Sequence, residues 1–207
     1  MFVLSLFDGI SCGRVALDRA KITVTRYYAS EIDKFAIQVS QNNYPDIIRL
    51  GDVTQWQNWD IDWAKIDLVL AGCPCQAFSF AGKRLGFDDP RGQLFFTFVD
   101  ILNHIKSLNP SVKYLLENVR MKKEHQEVIT EYMKVEPQMI DSNLVSAQNR
   151  KRLYWFNWQA PQPEDKGILL ADILLPVFSE DYLCSDGWHH WWEKKTISAT
   201  KEILTNW

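Results

Sequence analysis

Cys75 is the residue best placed for nucleophilic chemistry. It sits in Ala71-Gly72-Cys73-Pro74-Cys75-Gln76-Ala77-Phe78-Ser79, just past an apolar run, beside a proline and ahead of small polar residues. A cysteine attacks as its thiolate, so its reactivity depends on cations or backbone donors that lower the thiol pKa. Lys83, Arg84 and Arg91 follow closely enough to supply that field. A structural cysteine or half of a metal site are the competing readings. His104, His125, His189 and His190 lie far off and unpatterned, so Cys73-Pro74-Cys75 has no second ligand pair and no metal is expected.

Other segments end in groups that suit the same cleft. Leu115-Leu116-Glu117-Asn118-Val119 is an apolar strand closing on an acid and an amide. A partly desolvated Glu117 could stay protonated and donate to a ring nitrogen, or it could simply cap the helix beyond. In Ser146-Ala147-Gln148-Asn149-Arg150-Lys151-Arg152-Leu153-Tyr154-Trp155, an extended backbone would put Gln148, Arg150 and Arg152 on one face. A solvated charge run is the plainer alternative. Near the start, Leu6-Phe7-Asp8-Gly9-Ile10-Ser11-Cys12-Gly13 is a glycine-containing turn that would let backbone approach a ligand. Its spacing is not Gly-x-Gly-x-x-Gly, which disfavours a dinucleotide. Glu31 and Asp52 fall at the tips of the next two strands, where a carboxylate suits a ribose diol or, equally, a helix cap.

The elements that must position these residues follow one rhythm. An apolar start through residue 6 leads into the glycine turn and a helix over 14–20. Further strands are predicted over 23–30, 50–53, 66–71 and 114–116, with helices over 33–42, 92–108 and 123–134. Strand-then-helix repetition predicts an α/β fold, a doubly wound, mostly parallel Rossmann-like sheet with helices on both faces. Ala160-Pro161-Gln162-Pro163-Glu164-Asp165 has the composition of a linker. The expected organisation is therefore a ligand-binding catalytic domain over 1–157 and a smaller, partial domain over 158–207.

The chain has 207 residues, 46% hydrophobic and 24% charged, enough for one full core with part of a second. It has no apolar run of about 18 residues, so no membrane span is expected. The acid at position 8 and the lack of an early basic cluster argue against a signal peptide. Cysteines at 12, 73, 75 and 184 form no evident disulfide framework, which favours a reducing compartment. A net charge of −3 excludes a uniformly basic nucleic-acid binder but allows a local basic groove.

Phe7-Asp8-Gly9, Pro74-Cys75-Gln76, Glu117-Asn118-Val119 and the Gln148-x-Arg150-x-Arg152 pattern resemble, in order, the sequence blocks of the cytosine-C5 DNA methyltransferases. The stretch from Phe78 to Phe96 also resembles that family's mobile catalytic loop and the helix after it. The likeness spans roughly residues 3–157. It implies transfer of a methyl group from S-adenosylmethionine to C5 of a cytosine flipped out of double-stranded DNA, leaving S-adenosylhomocysteine. It implies that the Cys75 thiolate adds to C6, that Glu117 holds or protonates N3, and that Arg152 contacts O2 with Arg150 nearby. On the cofactor side it implies Phe7 along the adenine or methionine and Asp8, Gly9, Ile10, Ser11, Cys12 and Gly13 near the amino-acid end. Glu31 would take the ribose and Asp52 the adenine amine, with Ile32, Val53, Pro74 and Leu94 completing the pocket. Gln76, Ser79, Lys83, Arg91 and Gln148 are the expected DNA contacts, the loop 79–91 closing to exclude water. A cytoplasmic enzyme of a bacterial or phage-infected cell, associated with the nucleoid, fits this likeness. Restriction–modification, phage DNA protection and orphan methylation fit it equally.

Two further blocks of that family are not found before Trp207. The expected explanations are a shortened gene, a split enzyme completed by a second chain, or a minimal enzyme. Residues 168–175 and 181–183 resemble the entry into the family's recognition domain. Trp188-His189-His190-Trp191-Trp192 could stack on bases but is expected rather to pack a small core. Action on tRNA, and a binding subunit without turnover, are the alternative functions.

Overall fold

The computed structural model describes residues 1–74 and 90–173, the side chains at 90 and 91 excepted. A first compact unit runs from Met1 to Gly167 and a second begins at Ile168. In the first unit, seven strands form one sheet: β1 (Phe2–Leu6), β2 (Arg26–Ser30), β3 (Ile48–Arg49), β4 (Leu68–Ala71), β5 (Lys113–Val119), β6 (Gln138–Asp141) and β7 (Lys151–Phe156). Their order is β3-β2-β1-β4-β5-β7-β6. The first five are parallel, whereas β7 runs antiparallel to both β5 and β6. The helices are α1 (Cys12–Arg19), α2 (Lys34–Asn43), α3 (Pro90–Leu108) and α4 (Lys123–Met133), followed in the second unit by α5 (Leu170–Ile173).

Central parallel strands are buried on both faces, which explains why β1 reads as a continuous apolar run. Val3, Leu4 and Leu6 are all fully buried. On one face, α3, α4 and the 3₁₀ turns Val53–Asn58 and Trp63–Lys65 cover Leu4, Leu6, Val69, Ala71, Leu116 and Trp155. Trp155 Nε1 donates to Thr130 Oγ1 at 3.0 Å, tying β7 to α4. On the opposite face, α1 contributes Leu17 to a cluster with Val3, Tyr27, Ala29 and Leu68. Beyond α1 that face opens into an apolar groove of about 820 Å³, floored by Leu70, Leu115, Tyr154 and Trp158. Gly13, Ala16 and Leu17 of α1 wall one side of it, and among the described residues no other helix lines it.

Several predicted bounds shift. The strand expected over 50–53 lies at Ile48–Arg49, because the Asp52 carboxylate accepts from Thr54 N at 2.8 Å and starts a 3₁₀ turn at Val53. The segment 148–152 is not extended throughout, and pairing begins only at Asp141↔Lys151. Ahead of it, the loop folds on itself: Ser142 Oγ donates to Gln148 O at 2.7 Å and Arg150 N donates to Asp141 Oδ1 at 2.9 Å. The stretch read as a linker is held to the first unit, with Gln162 Nε2 donating to Met139 O and Lys166 N to Leu144 O, both at 2.8 Å. The aromatic segment 188–192 lies outside the described residues, as do 181–183.

Candidate active site

The chain turns back in the middle of the sheet. From β1 it winds outward to β2 and β3, then crosses to β4 on the other side of β1. Diverging connections leave a crevice at the carboxyl ends of β1 and β4, the usual ligand position in an open α/β sheet. A cavity of about 570 Å³ occupies it. Its wall draws on the segment after each parallel strand: Phe7 after β1, Glu31 and Ile32 after β2, Asp52 and Val53 after β3, and Cys73 and Pro74 after β4. Glu117 of β5, Leu94 of α3 and the pair Arg150 and Arg152 complete it.

Strand-tip carboxylates line part of the cavity. Glu31 Oε2 accepts from Gly9 N at 2.8 Å, and Oε1 accepts from Ile32 N at 2.8 Å and Asp33 N at 2.9 Å. These backbone donors orient a carboxylate that lines the cavity and keeps further acceptor capacity. Ile32 beside it is 73% exposed, an apolar side chain left open at the wall. Asp52 performs its cap and lines the cavity as well, so capping and binding are compatible there. The helix cap proper at the second strand's end is Asp33, whose Oδ1 accepts from Phe35 N and Ala36 N at 2.9 Å.

The other end is acid–base in character. Glu117 and Arg152 sit across the β5–β7 pair, with Arg152 Nε 2.9 Å from Glu117 Oε1. That N–H does not aim along the line to the oxygen, so the contact is an ion pair rather than an aligned hydrogen bond. Burial raises the Glu117 pKa above the ordinary carboxyl value, while Arg152 and Arg150 oppose the shift. Glu117 does not cap the helix beyond it, because α4 begins at Lys123 with Lys122 at its N-cap position. Cys73 is buried against this end, and burial, with the Glu117 charge adding to it, holds its thiol neutral. Gly72 lies alongside: a Cβ there would meet Glu117 Oε2 at 3.7 Å.

Among the sequence-predicted residues, the cavity gathers Phe7, Glu31, Ile32, Asp52, Val53, Pro74, Leu94, Glu117, Arg150 and Arg152. Gly9, Ile10 and Ser11 do not line it, and neither do Asp8, Cys12 and Gly13, which border the apolar groove that meets the cavity at Phe7, Gly72, Glu117 and Arg150. The reason is local: the Asp8 side chain turns inward to Tyr27 and Ser11 rather than toward the cavity. Gln148 is exposed in the β6–β7 loop and does not line the cavity. Cys75, Gln76, Ser79 and Lys83 lie outside the described residues, as does the Arg91 side chain. Ser30, Thr54, Gly72, Cys73 and Val119 line the cavity without having been singled out. Ser30, Gly72, Cys73 and Val119 neighbour motif residues, which is the signal available for them.

An open, mainly parallel sheet here gathers strand-tip carboxylates and a partly buried carboxylate–guanidinium pair at one crevice, the ligand position of a doubly wound α/β fold. The family model described as C-5 cytosine-specific DNA methylase matches residues 1–170, and the chain belongs to that family. It is 37% identical over 171 residues to the type II methyltransferase M.NlaIV of Neisseria lactamica, which covers 80% of this chain and 38% of that protein. It is 31% identical to M.HhaI of Haemophilus parahaemolyticus, covering 97% of this chain and 63% of the other. Among solved structures, the Entamoeba histolytica methyltransferase EhMeth superposes with a TM-score of 0.65 at 16% identity, covering 90% of this chain and 63% of that one. The chain thus spans between 38% and 63% of the length of the curated relatives named. Among the described residues no helix is long and apolar enough to cross a membrane.

Proposed function

We propose that the chain is the catalytic portion of a DNA (cytosine-5-)-methyltransferase that uses S-adenosylmethionine and a covalent cysteine adduct. The observation carrying this reading is the single crevice shared by Glu31, Glu117 and Arg152, with Pro74, the residue joined to Cys75, in its wall. The pocket fits the cofactor in kind: its volume is in the range of small-molecule sites, and it offers carboxylates for a diol and an amine beside the open Ile32 surface. When bound, the cofactor supplies an electrophilic methyl group.

The protein's own groups then have distinct tasks. The Cys75 thiolate bonds to C6 of cytosine, and the electron pair moves toward N3, where Glu117 places a proton or a hydrogen bond. C5 so enriched accepts the methyl group. Solvent water takes the C5 proton as the C6–S bond breaks and the thiolate departs, and N3 returns any proton it took to Glu117, which restores the ring. Arg152 and Arg150 hold Glu117 and the base's O2 side in register while limiting how far burial raises the carboxyl pKa. The base reaches these groups only by leaving the duplex stack. Gln76, Ser79, Lys83, Arg91 and Gln148 are assigned to the DNA side, and Gly9 to Gly13 to the backbone around the cofactor's amino-acid end. The open apolar groove beside β4, β5 and β7 supports a further segment, of the same polypeptide or of a second chain, packing there in the active protein.

DNA containing 5-fluorocytosine tests the proposal, because fluorine at C5 cannot leave as a proton does. With S-adenosylmethionine present, a denaturation-resistant adduct mapped to Cys75 is expected. DNA binding with no adduct would point instead to a subunit without turnover, and an adduct with tRNA alone to the RNA substrate.

A further inference from the structure

Asp8 belongs to a buried polar network that the proposed reaction does not use. Tyr27 Oη donates to Asp8 Oδ1 at 2.8 Å, and Ser11 Oγ donates to Asp8 Oδ2. Ser11 has one hydroxyl proton, so at its contact with Ser40 Oγ the donor is Ser40. Ser40 in turn accepts from Arg49 Nη2 at 3.0 Å. Tyr27, Ser11 and Ser40 are 1%, 0% and 0% exposed, so the centre of the network is shielded from water. Burial, with the Asp8 charge beside it, pushes the Tyr27 pKa far up, and the hydroxyl keeps its proton.

The same loop carries unusual backbone. Phe7, Gly9 and Ser11 have φ of 57°, 58° and 65°. Non-glycine residues stay in that region only where their surroundings enforce it. Asp8 N donates to Ser30 O at 3.1 Å, and the next amide, Gly9 N, is the one that orients Glu31. Gly13 leaves room for the arrangement: a Cβ there would fall 2.8 Å from Tyr27 Oη.

We propose that Tyr27 is a positioning residue for cofactor binding: by holding the Asp8 carboxylate inward, its hydroxyl keeps the 7–11 loop in the form that presents Phe7 to the cavity and Gly9 N–H to Glu31. This rests on the S-adenosylmethionine reading above. Tyr27 touches no ligand, and its effect passes through Asp8 and the loop backbone.

The test titrates S-adenosylmethionine into the full chain by calorimetry and measures kcat and KM for the cofactor. Tyr27→Phe should weaken cofactor affinity about tenfold, the scale of one lost charge-assisted hydrogen bond, with kcat at saturating cofactor within about twofold. Tyr114→Phe is the matched control, since Tyr114 Oη donates to Met133 O at 2.7 Å on the other face of the sheet. It should lower the melting temperature and leave cofactor affinity unchanged. Affinity within about twofold of the parent in Tyr27→Phe, or equal weakening in Tyr114→Phe, overturns the inference. If Tyr27→Phe does not fold, Ser40→Ala breaks the network from its far end: weakened affinity supports the inference and parental affinity refutes it. Failure of the parent chain itself to bind S-adenosylmethionine would refute the cofactor reading, a result visible before any variant is made.

Discussion

Arg152 Nε lies 2.9 Å from Glu117 Oε1, a contact made by two strands that run in opposite directions. The antiparallel return of β7 beside β5 places the guanidinium beside a carboxylate whose pKa burial raises. The two influences oppose each other, and burial is the larger. The net shift of the Glu117 carboxyl is upward, restrained by a cation that also lines the cavity.

The raised pKa fixes a sign for stability against pH. The folded state binds the Glu117 proton more tightly than the unfolded chain does, so the associated stabilisation is complete below the ordinary carboxyl range. It is lost as pH rises through that range and the raised folded value. The melting temperature of Glu117→Gln relative to the parent should accordingly increase from about pH 4 to about pH 8. A difference that stays flat across that window would show that Glu117 titrates normally.

In methyl transfer, Glu117→Gln should cost about 10²–10⁴-fold in rate, the scale of general acid catalysis, because the amide cannot give up a proton to N3. Single-turnover assays with labelled methyl donor would measure it. Parental turnover in this variant would remove Glu117 from the chemistry.

The two neighbouring cysteines should behave differently. Cys75→Ser should abolish transfer while leaving cofactor affinity nearly intact, whereas Cys73→Ala should retain turnover, since the Cys73 thiol is buried and held neutral. Loss of activity in Cys73→Ala with retained folding, or activity in Cys75→Ser, would reverse the assignment.

Glu31→Ala should weaken S-adenosylmethionine binding by about 1–3 kcal/mol, the scale of a lost hydrogen bond to a charged group. The variant also frees Gly9 N, Ile32 N and Asp33 N, so part of the effect is a looser loop. Unchanged affinity by calorimetry would exclude Glu31 from the pocket.

Gly13→Ala should destabilise the fold by about 1–3 kcal/mol through overpacking. The added Cβ would lie 2.6 Å from Leu70 Cδ1 and 2.8 Å from Tyr27 Oη, between α1 and the sheet. Urea unfolding with an unchanged slope and a lower midpoint is expected, and an unchanged midpoint would mean that α1 moves aside at little cost.

Much of this protein was readable from residue order. Apolar runs alternating with helical stretches determined a parallel α/β sheet, because buried strands and amphipathic helices write their periods directly into the chain. The blocks around Phe7, Pro74, Glu117 and Arg152 marked most of the cavity wall, since in such a sheet the residues following each strand converge on one edge. Only the tertiary structure decided which way the Asp8 side chain turns. Its partner Tyr27 comes from a different strand, and no local pattern announces a hydrogen bond across two elements. The same holds for Gln148, whose place depended on where β6 and β7 begin to pair and on a loop folded by the Ser142 hydroxyl. Spacing along a chain specifies what local geometry repeats; long-range pairing specifies which of those side chains meet.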